Sequence, residues 1–356
     1  MKQVQPCSVC IAAHNERATL PKLLSSLAQH PPELVDEILI CLNGCTDDTP
    51  EIVAAHAERD PRIRSVESLK GKPRAWNQLV AYARNETLLF LDADVEIEAG
   101  ALERLLRRFQ PGVVIVAGLD RPRTRRFDPR SWLLAYLLRP RLDRYLNGRL
   151  YAVRRGALLD RMERQTGTRL MAENLLHEDF WLQTLLSPDE LVVAHDARVF
   201  YDPGSLADYP RIKARLRLGH HQIAEEYAET FQRWRRTRQS PNRTAAQKLR
   251  AAWREGGLSL TLTRALDLVV GRLSARIWGG EIDRLYAEMR SHLEAVGGQH
   301  VLAGPGRIRS SKGEADPRNE RRRCVDLERS RDSLGFDERG RTRDDCGPIG
   351  AAQARR

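Results

Sequence analysis

The chain has 356 residues, 41% of them hydrophobic and 30% charged, enough apolar material for one substantial core or two modest ones. No window of about 18 uninterrupted apolar residues occurs, which excludes an ordinary transmembrane helix. The formal charge of +11 favours an anionic partner such as a nucleotide, a phospholipid headgroup, a polyanion or nucleic acid.

Residues 1–6 hold no apolar run of leader length, so the expected location is the cytoplasm, where thiols stay reduced. Strands are predicted at 8–12, 38–42, 63–66 and 88–91, alternating with helix-period segments. That alternation is the pattern of βαβ units and a parallel sheet. Cys7 and Cys10 have metal-site spacing, but residues three apart on a strand face opposite sides, so a shared zinc ion is not expected. Leu20, Leu23, Leu24 and Leu27 fall on one helical face, and Leu102, Leu105, Leu106 and Phe109 repeat that spacing after the fourth strand. Thr49-Pro50 reads as an N-cap followed by proline at the first helical position. The sheet resumes at 113–117.

Residues 121–149 surround the apolar stretch 132–138 with arginines. A buried helix with solvated flanks and an interfacial helix share that composition. Residues 206–300 read as helical. Within them 258–278 carries Arg264, Asp267, Arg272 and Arg276, which suits an amphipathic helix covering a core better than one lying on a membrane. Beyond 303 the chain is polar and arginine-rich, and a disordered tail is expected. The expected organisation is a nucleotide-type domain over 1–205, a helical extension over 206–302 and the tail over 303–356.

The chemistry concentrates at Leu88-Leu89-Phe90-Leu91-Asp92-Ala93-Asp94, an apolar run ending in two carboxylates. A buried strand would deliver these to a sheet edge, where Mg²⁺ or Mn²⁺ characteristically shares its shell between one or two carboxylates and substrate phosphates. In open sheets ligands collect beyond the carboxyl ends of the strands, where 13–16, 43–47 and 92–94 all lie. The dinucleotide fingerprint GxGxxG and the phosphate loop GxxxxGK(S/T) are both absent, which disfavours a nicotinamide dehydrogenase or an ordinary kinase.

Five motifs in order resemble glycosyltransferase family 2, the inverting nucleotide-sugar transferases. They are Val9-Cys10-Ile11-Ala12-Ala13-His14-Asn15-Glu16, Asn43-Gly44-Cys45-Thr46-Asp47-Asp48-Thr49, Gly71-Lys72 with Asn77, Asp92-Ala93-Asp94, and His177-Glu178-Asp179. The resemblance implies an α/β GT-A fold, a Rossmann-like, mostly parallel sheet flanked by helices. It further implies that Ala13 and Glu16 line the base and ribose, that Asn43 reads the nucleotide, and that Lys72 lies near the diphosphate with Arg74 and Asn77 framing the donor sugar. Asp92 would touch ribose or sugar, Asp94 would ligate Mn²⁺ or Mg²⁺, and Asp179 would act as base with Glu178 positioning acceptor or base. The family usually has two aspartates where this chain has Leu42-Asn43. Residues 211–222 resemble only incompletely the QxxRW segment of processive members. The pair His220-His221 reads as surface or capping residues, since neighbours on a helix face different directions.

The implied partners are a nucleoside diphosphate sugar and a hydroxyl-bearing acceptor, a lipid carrier, glycan or small metabolite, with peripheral contact to the anionic inner face of a membrane. Two alternatives stay open. One is a sugar-phosphate nucleotidyltransferase, although its glycine-rich basic N-terminal loop is missing. The other is a non-catalytic basic module binding membrane or nucleic acid, the latter disfavoured because no recognition module is present.

Overall fold

The computed structural model describes residues 5–124, 128–138, 146–237 and 244–297. The expected tail over 303–356 lies outside the described residues. Among the described residues eight strands form one sheet: β1 (Cys7–Ala13), β2 (Val35–Asn43), β3 (Ile63–Ser68), β4 (Thr87–Asp92), β5 (Glu96–Ile97), β6 (Ile115–Pro122), β7 (Leu150–Arg154) and β8 (Leu191–Tyr201). Their order is β3-β2-β1-β4-β7-β6-β8-β5. The first four pair in parallel. Beyond β4 the sheet is mixed, with β7 antiparallel to both β4 and β6 and β6 parallel to β8. This is the mostly parallel sheet flanked by helices that the resemblance implies.

The helices are α1 (Leu20–Leu27), α2 (Thr49–Ala57), α3 (Lys72–Tyr82), α4 (Ala101–Leu106), α5 (Pro129–Leu138), α6 (Arg155–Thr166), α7 (Glu178–Thr184), α8 (Tyr209–Glu226), α9 (Ala228–Thr237) and α10 (Ala245–Gly297). Side chains alternate across the central strands, so β1 feeds two cores. Cys7, Val9 and Ile11 pack with the leucines of α1 and α4. Cys10 faces the other way, towards Trp76 and Leu79 of α3, Leu158 of α6 and Trp181 of α7. Cys7 and Cys10 therefore occupy separate layers, as the strand period requires.

One local expectation is corrected. The second helix begins at Thr49 itself, with Asp48 at the cap position. Thr49 Oγ1 donates to Asp47 Oδ1 at 2.5 Å and accepts the Glu16 N–H at 2.8 Å. Asp47 also accepts the Thr49 N–H at 3.0 Å, a two-residue side-chain turn that takes over the capping.

The chain divides into two compact units, one of Met1–Pro203 and Gly219–Ala275, the other of Gly204–Leu218 and the chain from Arg276 onward. In the second, Tyr209 packs against Trp278 with ring centroids 5.1 Å apart, and Arg217 pairs with Asp283 while lying 4.5 Å over the Tyr286 ring. In the first, Trp132 and Leu133 of α5 are exposed while Leu134 is buried. Among the described residues no helix is long and apolar enough to cross a membrane.

Candidate active site

Register levels the ends of the parallel strands: Ala12 of β1 stands beside Cys41 of β2 and Asp92 of β4. The loops leaving those strands therefore emerge side by side. Asn15 adopts a left-handed conformation (φ 57°) that asparagine tolerates better than most residues. Its Oδ1 accepts the N–H groups of Thr46 (2.7 Å) and Asp47 (3.2 Å), tying the first loop to the second. Glu16 continues this seam, its carboxylate accepting the Thr19 hydroxyl. Ala13 is fully buried, and its carbonyl accepts from Cys45 Sγ at 3.3 Å.

Asn43 is also buried, and its Oδ1 accepts the Gly71 N–H at 2.8 Å and the Ser68 hydroxyl at 3.3 Å. It thereby anchors the turn that starts α3 and delivers Lys72. Gly44 follows in a left-handed conformation (φ +65°), and a Cβ there would sit 3.0 Å from the Lys70 nitrogen, so the close approach of these two loops needs glycine. Arg74 and Asn77 reach the loop before α7. Arg74 Nε lies 2.7 Å from Glu173, and Asn77 exchanges two hydrogen bonds of 2.9 Å with the Met171 backbone. Both brace that loop against α3.

At the centre stands Lys72. Its ammonium is 2.9 Å from Asp92 Oδ1 and 2.9 Å from Glu178 Oε1. Partial removal from water works against its charge, but the two carboxylates outweigh this and raise its pKa well above the ordinary lysine value. Beneath it Trp76, Phe90 and Tyr151 stack at centroid distances of 5.8 and 4.9 Å, and Trp76 Nε1 donates to the Tyr151 hydroxyl at 3.1 Å. Three elements, α3, β4 and β7, thus form a rigid floor.

Asp94 lies two residues beyond Asp92 at the solvent end of β4. Crowding by protein raises its carboxyl pKa, neighbouring Asp92 adds to this, and Arg149 and Lys72 counter it. Arg149, which carried no signal in the sequence, closes this side. Its carbonyl accepts the Asp92 N–H at 3.2 Å, and its guanidinium lies 3.8 Å over the Tyr201 ring and 3.4 Å from Asp120. Burial acts to lower its pKa, but Asp92, Tyr201, Asp120 and Asp94 together raise it. Its acidic neighbours come from β4 and β6, distant in the chain, so no local pattern announces it.

His177-Glu178-Asp179 opens α7, where acidic residues suit the helix dipole. Their partners are nevertheless specific. Asp179 Oδ2 accepts the Gly148 N–H at 3.0 Å, while Oδ1 takes the Phe180 N–H at 2.8 Å and lies 3.0 Å from His177 Nε2. Burial works to raise this carboxyl, but His177, Lys72 and the Phe180 N–H hold it far below the usual carboxylate range. The His220 ring stacks 5.0 Å from His177, placing one of the two adjacent histidines in the site. Burial and then His177 push its pKa down to about 4. Gly219 permits the approach, since a Cβ there would lie 2.6 Å from His177 Cβ. Gln222 secures the same loop through the Leu176 N–H and the Asn174 carbonyl, each at 3.1 Å.

Among the described residues no set of three His, Cys, Asp or Glu side chains converges into a protein-only metal cage. The donor set of Asp94, with Asp92 already held by Lys72, fits instead a hard divalent cation that draws its remaining oxygens from phosphate and water. Arg149 and Lys72 supply compensating charge around it. The structure therefore brings Asp92, Asp94, Glu178 and Asp179 around the Lys72 ammonium, and places Ala13, Glu16 and Asn43 in the adjoining loops.

Residues 8–165 match the sequence model of glycosyl transferase family 2. The chain is 32% identical over 111 residues to the glycosyltransferase AglD of Haloferax volcanii, covering 30% of this chain and 18% of that protein. It is 32% identical over 124 residues to a poly-beta-1,6-N-acetyl-D-glucosamine synthase of Staphylococcus epidermidis, covering 34% and 30% of the two chains. The chain thus spans less than a third of the length of these curated relatives. Among solved structures it is similar to the mannosyltransferase PcManGT of Pyrobaculum calidifontis, in complex with GDP-Man and Mn²⁺, at 18% identity and a TM-score of 0.48 over 84% of this chain and 88% of that one.

Proposed function

We propose that the chain is a metal-dependent inverting glycosyltransferase that moves a sugar from a nucleoside diphosphate donor to a hydroxyl acceptor. The observation that carries this reading is the Lys72 ammonium held between Asp92 and Glu178, with Asp94 one turn of loop away. A diphosphate needs cationic groups and a cation at one place, and an attacking hydroxyl needs a carboxylate across from it. This cluster offers both within one group of side chains.

In this reading residues 1–205 are the transferase domain and 206–302 its helical extension. Ala13 and Glu16 border the base and ribose, Asn43 supports the nucleotide loop, and Arg74 and Asn77 shape the donor-sugar side. Asp92 faces ribose or sugar, and Asp94 holds Mn²⁺ or Mg²⁺. The bound cation would offset charge building on the departing diphosphate. The pair Glu178-Asp179 serves the acceptor side. Displacement in line at the anomeric carbon then inverts its configuration.

The acceptor is a lipid carrier, glycan or small metabolite presented at the inner face of a membrane. Support for peripheral contact comes from exposed Trp132 and Leu133 on α5, and from Val269, Leu273 and Ile277, which recur every four residues on α10 and are all exposed. Arg272 and Arg276 lie beside this stripe, and the exposure of its three apolar side chains turns the expectation of a core-covering helix over 258–278 towards an interfacial one.

The test is incubation of the purified chain with Mn²⁺ and a donor panel including UDP-glucose and GDP-mannose, measuring free nucleoside diphosphate. Metal-dependent release that disappears in Asp94→Ala is expected. Metal-independent release, or pyrophosphate release from a nucleoside triphosphate with sugar phosphate, would replace this reading.

A further inference from the structure

We propose that His177 is a positioning residue of the transfer reaction: its ring holds Oδ1 of Asp179 and so presents Oδ2 as the oxygen that takes the proton of the attacking hydroxyl. The proposal rests on the donor reading above, with Asp179 as the base.

His177 stands at the cap position of α7, where a short polar side chain usually accepts a backbone N–H of the first turn. Its own side chain makes no such bond. Asp179 Oδ1 takes the Phe180 N–H instead, at 2.8 Å, and His177 Nε2 is turned to the same oxygen at 3.0 Å. The remaining ring nitrogen, Nδ1, is buried without a hydrogen-bond partner among the described residues. A buried polar atom left unpaired lowers stability, so a phenyl ring would fill this place with less loss. What an imidazole adds here is its bond to Asp179.

Packing fixes the direction of that bond. The His220 ring lies 5.0 Å from the His177 ring with the two planes 6° apart, and the Phe180 ring lies at 5.5 Å. Gly219 allows α8 to come this close, because a Cβ there would lie 2.6 Å from His177 Cβ. An imidazole held by two rings can fix the rotamer of the carboxylate it touches.

The two oxygens of Asp179 differ as a result. Oδ1 accepts from two donors, the Phe180 N–H and His177, whereas Oδ2 accepts from one, the Gly148 N–H at 3.0 Å. A carboxylate oxygen has two lone pairs, so Oδ2 keeps one for an incoming hydroxyl. Gly148 also keeps that side open, since a Cβ there would lie 3.0 Å from Oδ2. The acceptor O–H proton passes to Oδ2 while the hydroxyl oxygen forms its bond to the anomeric carbon. The bond from that carbon to the diphosphate oxygen breaks, its electron pair leaves with the nucleoside diphosphate, and Asp179 later returns the proton to solvent. His177 gives up no proton in this step; it holds the base in line.

The experiment uses the full chain with Mn²⁺ and UDP-glucose or GDP-mannose, water serving as the hydroxyl acceptor and nucleoside diphosphate release as the readout, on His177→Phe, His177→Gln and His177→Asn. Phenylalanine keeps the ring packing without a nitrogen, glutamine carries an N–H donor out to the place of Nε2, and asparagine is too short to reach it. His177→Phe and His177→Asn should lose about tenfold to 100-fold in kcat, with the donor KM and the calorimetric affinity for UDP or GDP unchanged. His177→Gln should recover most of that loss. Wild-type kcat in His177→Phe, glutamine no better than asparagine, or a loss that falls on KM rather than kcat overturns the proposal. So does a kcat that merely follows melting temperature across the three variants, which is what a structural histidine would give. A second measurement depends neither on turnover nor on the stability of these variants: magnetic resonance of isotope-labelled imidazole nitrogens in the unaltered chain and in Asp179→Asn. The His177 Nε2 signal should be that of an N–H donor and should move in Asp179→Asn; an unmoved signal overturns the proposal. Failure of the unaltered chain to bind either diphosphate removes the donor reading and the role given to this bond, whereas the signal of the bond itself would persist, so the two failures are distinct.

Discussion

The loops after β1 and β2 and the cluster around Lys72 border the same strand ends but are joined by different bonds. Asn15, Asn43, Thr46 and Thr49 fasten the first two loops mostly through neutral amides and hydroxyls, many of them paired with backbone N–H groups. Around Lys72 and Arg149 the partners are charged side chains: Asp92, Asp94, Asp120 and Glu178. A neutral bond to backbone fixes a loop whatever ligand is present. An ion pair between side chains can be exchanged for a pair with a ligand of higher charge. The contrast places rigidity where a nucleotide would be gripped and exchangeable charge where phosphate and acceptor would meet.

The comparison breaks most sharply at Asp94. Asp94→Ala should reduce donor turnover by about 100-fold or more with little change in melting temperature, because among the described residues its carboxylate touches other elements only through the charges of Arg149 and Lys72. A large fall in stability with proportionate activity would instead make Asp94 structural.

Arg149→Met comes next. It leaves Asp92, Asp94 and Asp120 short of countercharge and should lower stability at neutral pH by about 1–3 kcal/mol, less than the about 3–5 kcal/mol for breaking a fully buried pair, because the Arg149 side chain is one-third exposed. Because the deficit is one of charge, added Mn²⁺ should return part of it, a recovery readable in urea titrations with and without the metal. No recovery would show that Arg149 acts through its stacking on Tyr201 alone.

Asn43→Ala probes the neutral region by the same measurement. Losing the acceptor for the buried Gly71 N–H should cost about 1–2 kcal/mol, and here Mn²⁺ should return nothing. Recovery equal to that of Arg149→Met would erase the distinction between the two regions.

The smallest effect is expected with acid. His220 is kept neutral in the folded chain, its pKa pushed down to about 4 by burial and by His177. The unfolded chain takes up that proton below the ordinary value of 6.5, so this contribution is complete above pH 6.5 and is lost as pH falls towards about 4. Asp179, held below the ordinary carboxylate value of 3.8, contributes stability that is complete above that value and is lost only in stronger acid. Melting temperature should therefore begin to fall below pH 6.5, and His220→Asn should flatten the upper part of that decline. An identical profile in the variant would remove His220 as its source.

The parallel half of the sheet was legible because its signals are local. Apolar runs give β1, β2 and β4, leucine spacing gives α1 and α4, and the run ending in Asp92 and Asp94 marks the site edge. Thr49 was read one position wrong, since the capping oxygen comes from Asp47 and the threonine hydroxyl turns to Glu16. Arg149 was invisible, because its meaning depends on carboxylates delivered by β4 and β6. The same holds for the different partners of Glu178 and Asp179. Adjacent in the chain and alike in chemistry, they are separated by what the fold brings to each: a flexible lysine from α3 for one, and backbone N–H groups from the 148 turn and from α7 itself for the other.

The most direct measurement is calorimetric titration of UDP and GDP into the purified chain with and without Mn²⁺, repeated on Asp94→Ala. The account predicts that one diphosphate binds, that its binding strengthens with the metal, and that the metal's contribution vanishes in the variant. Binding of equal strength with and without Mn²⁺, unchanged by Asp94→Ala, would contradict it.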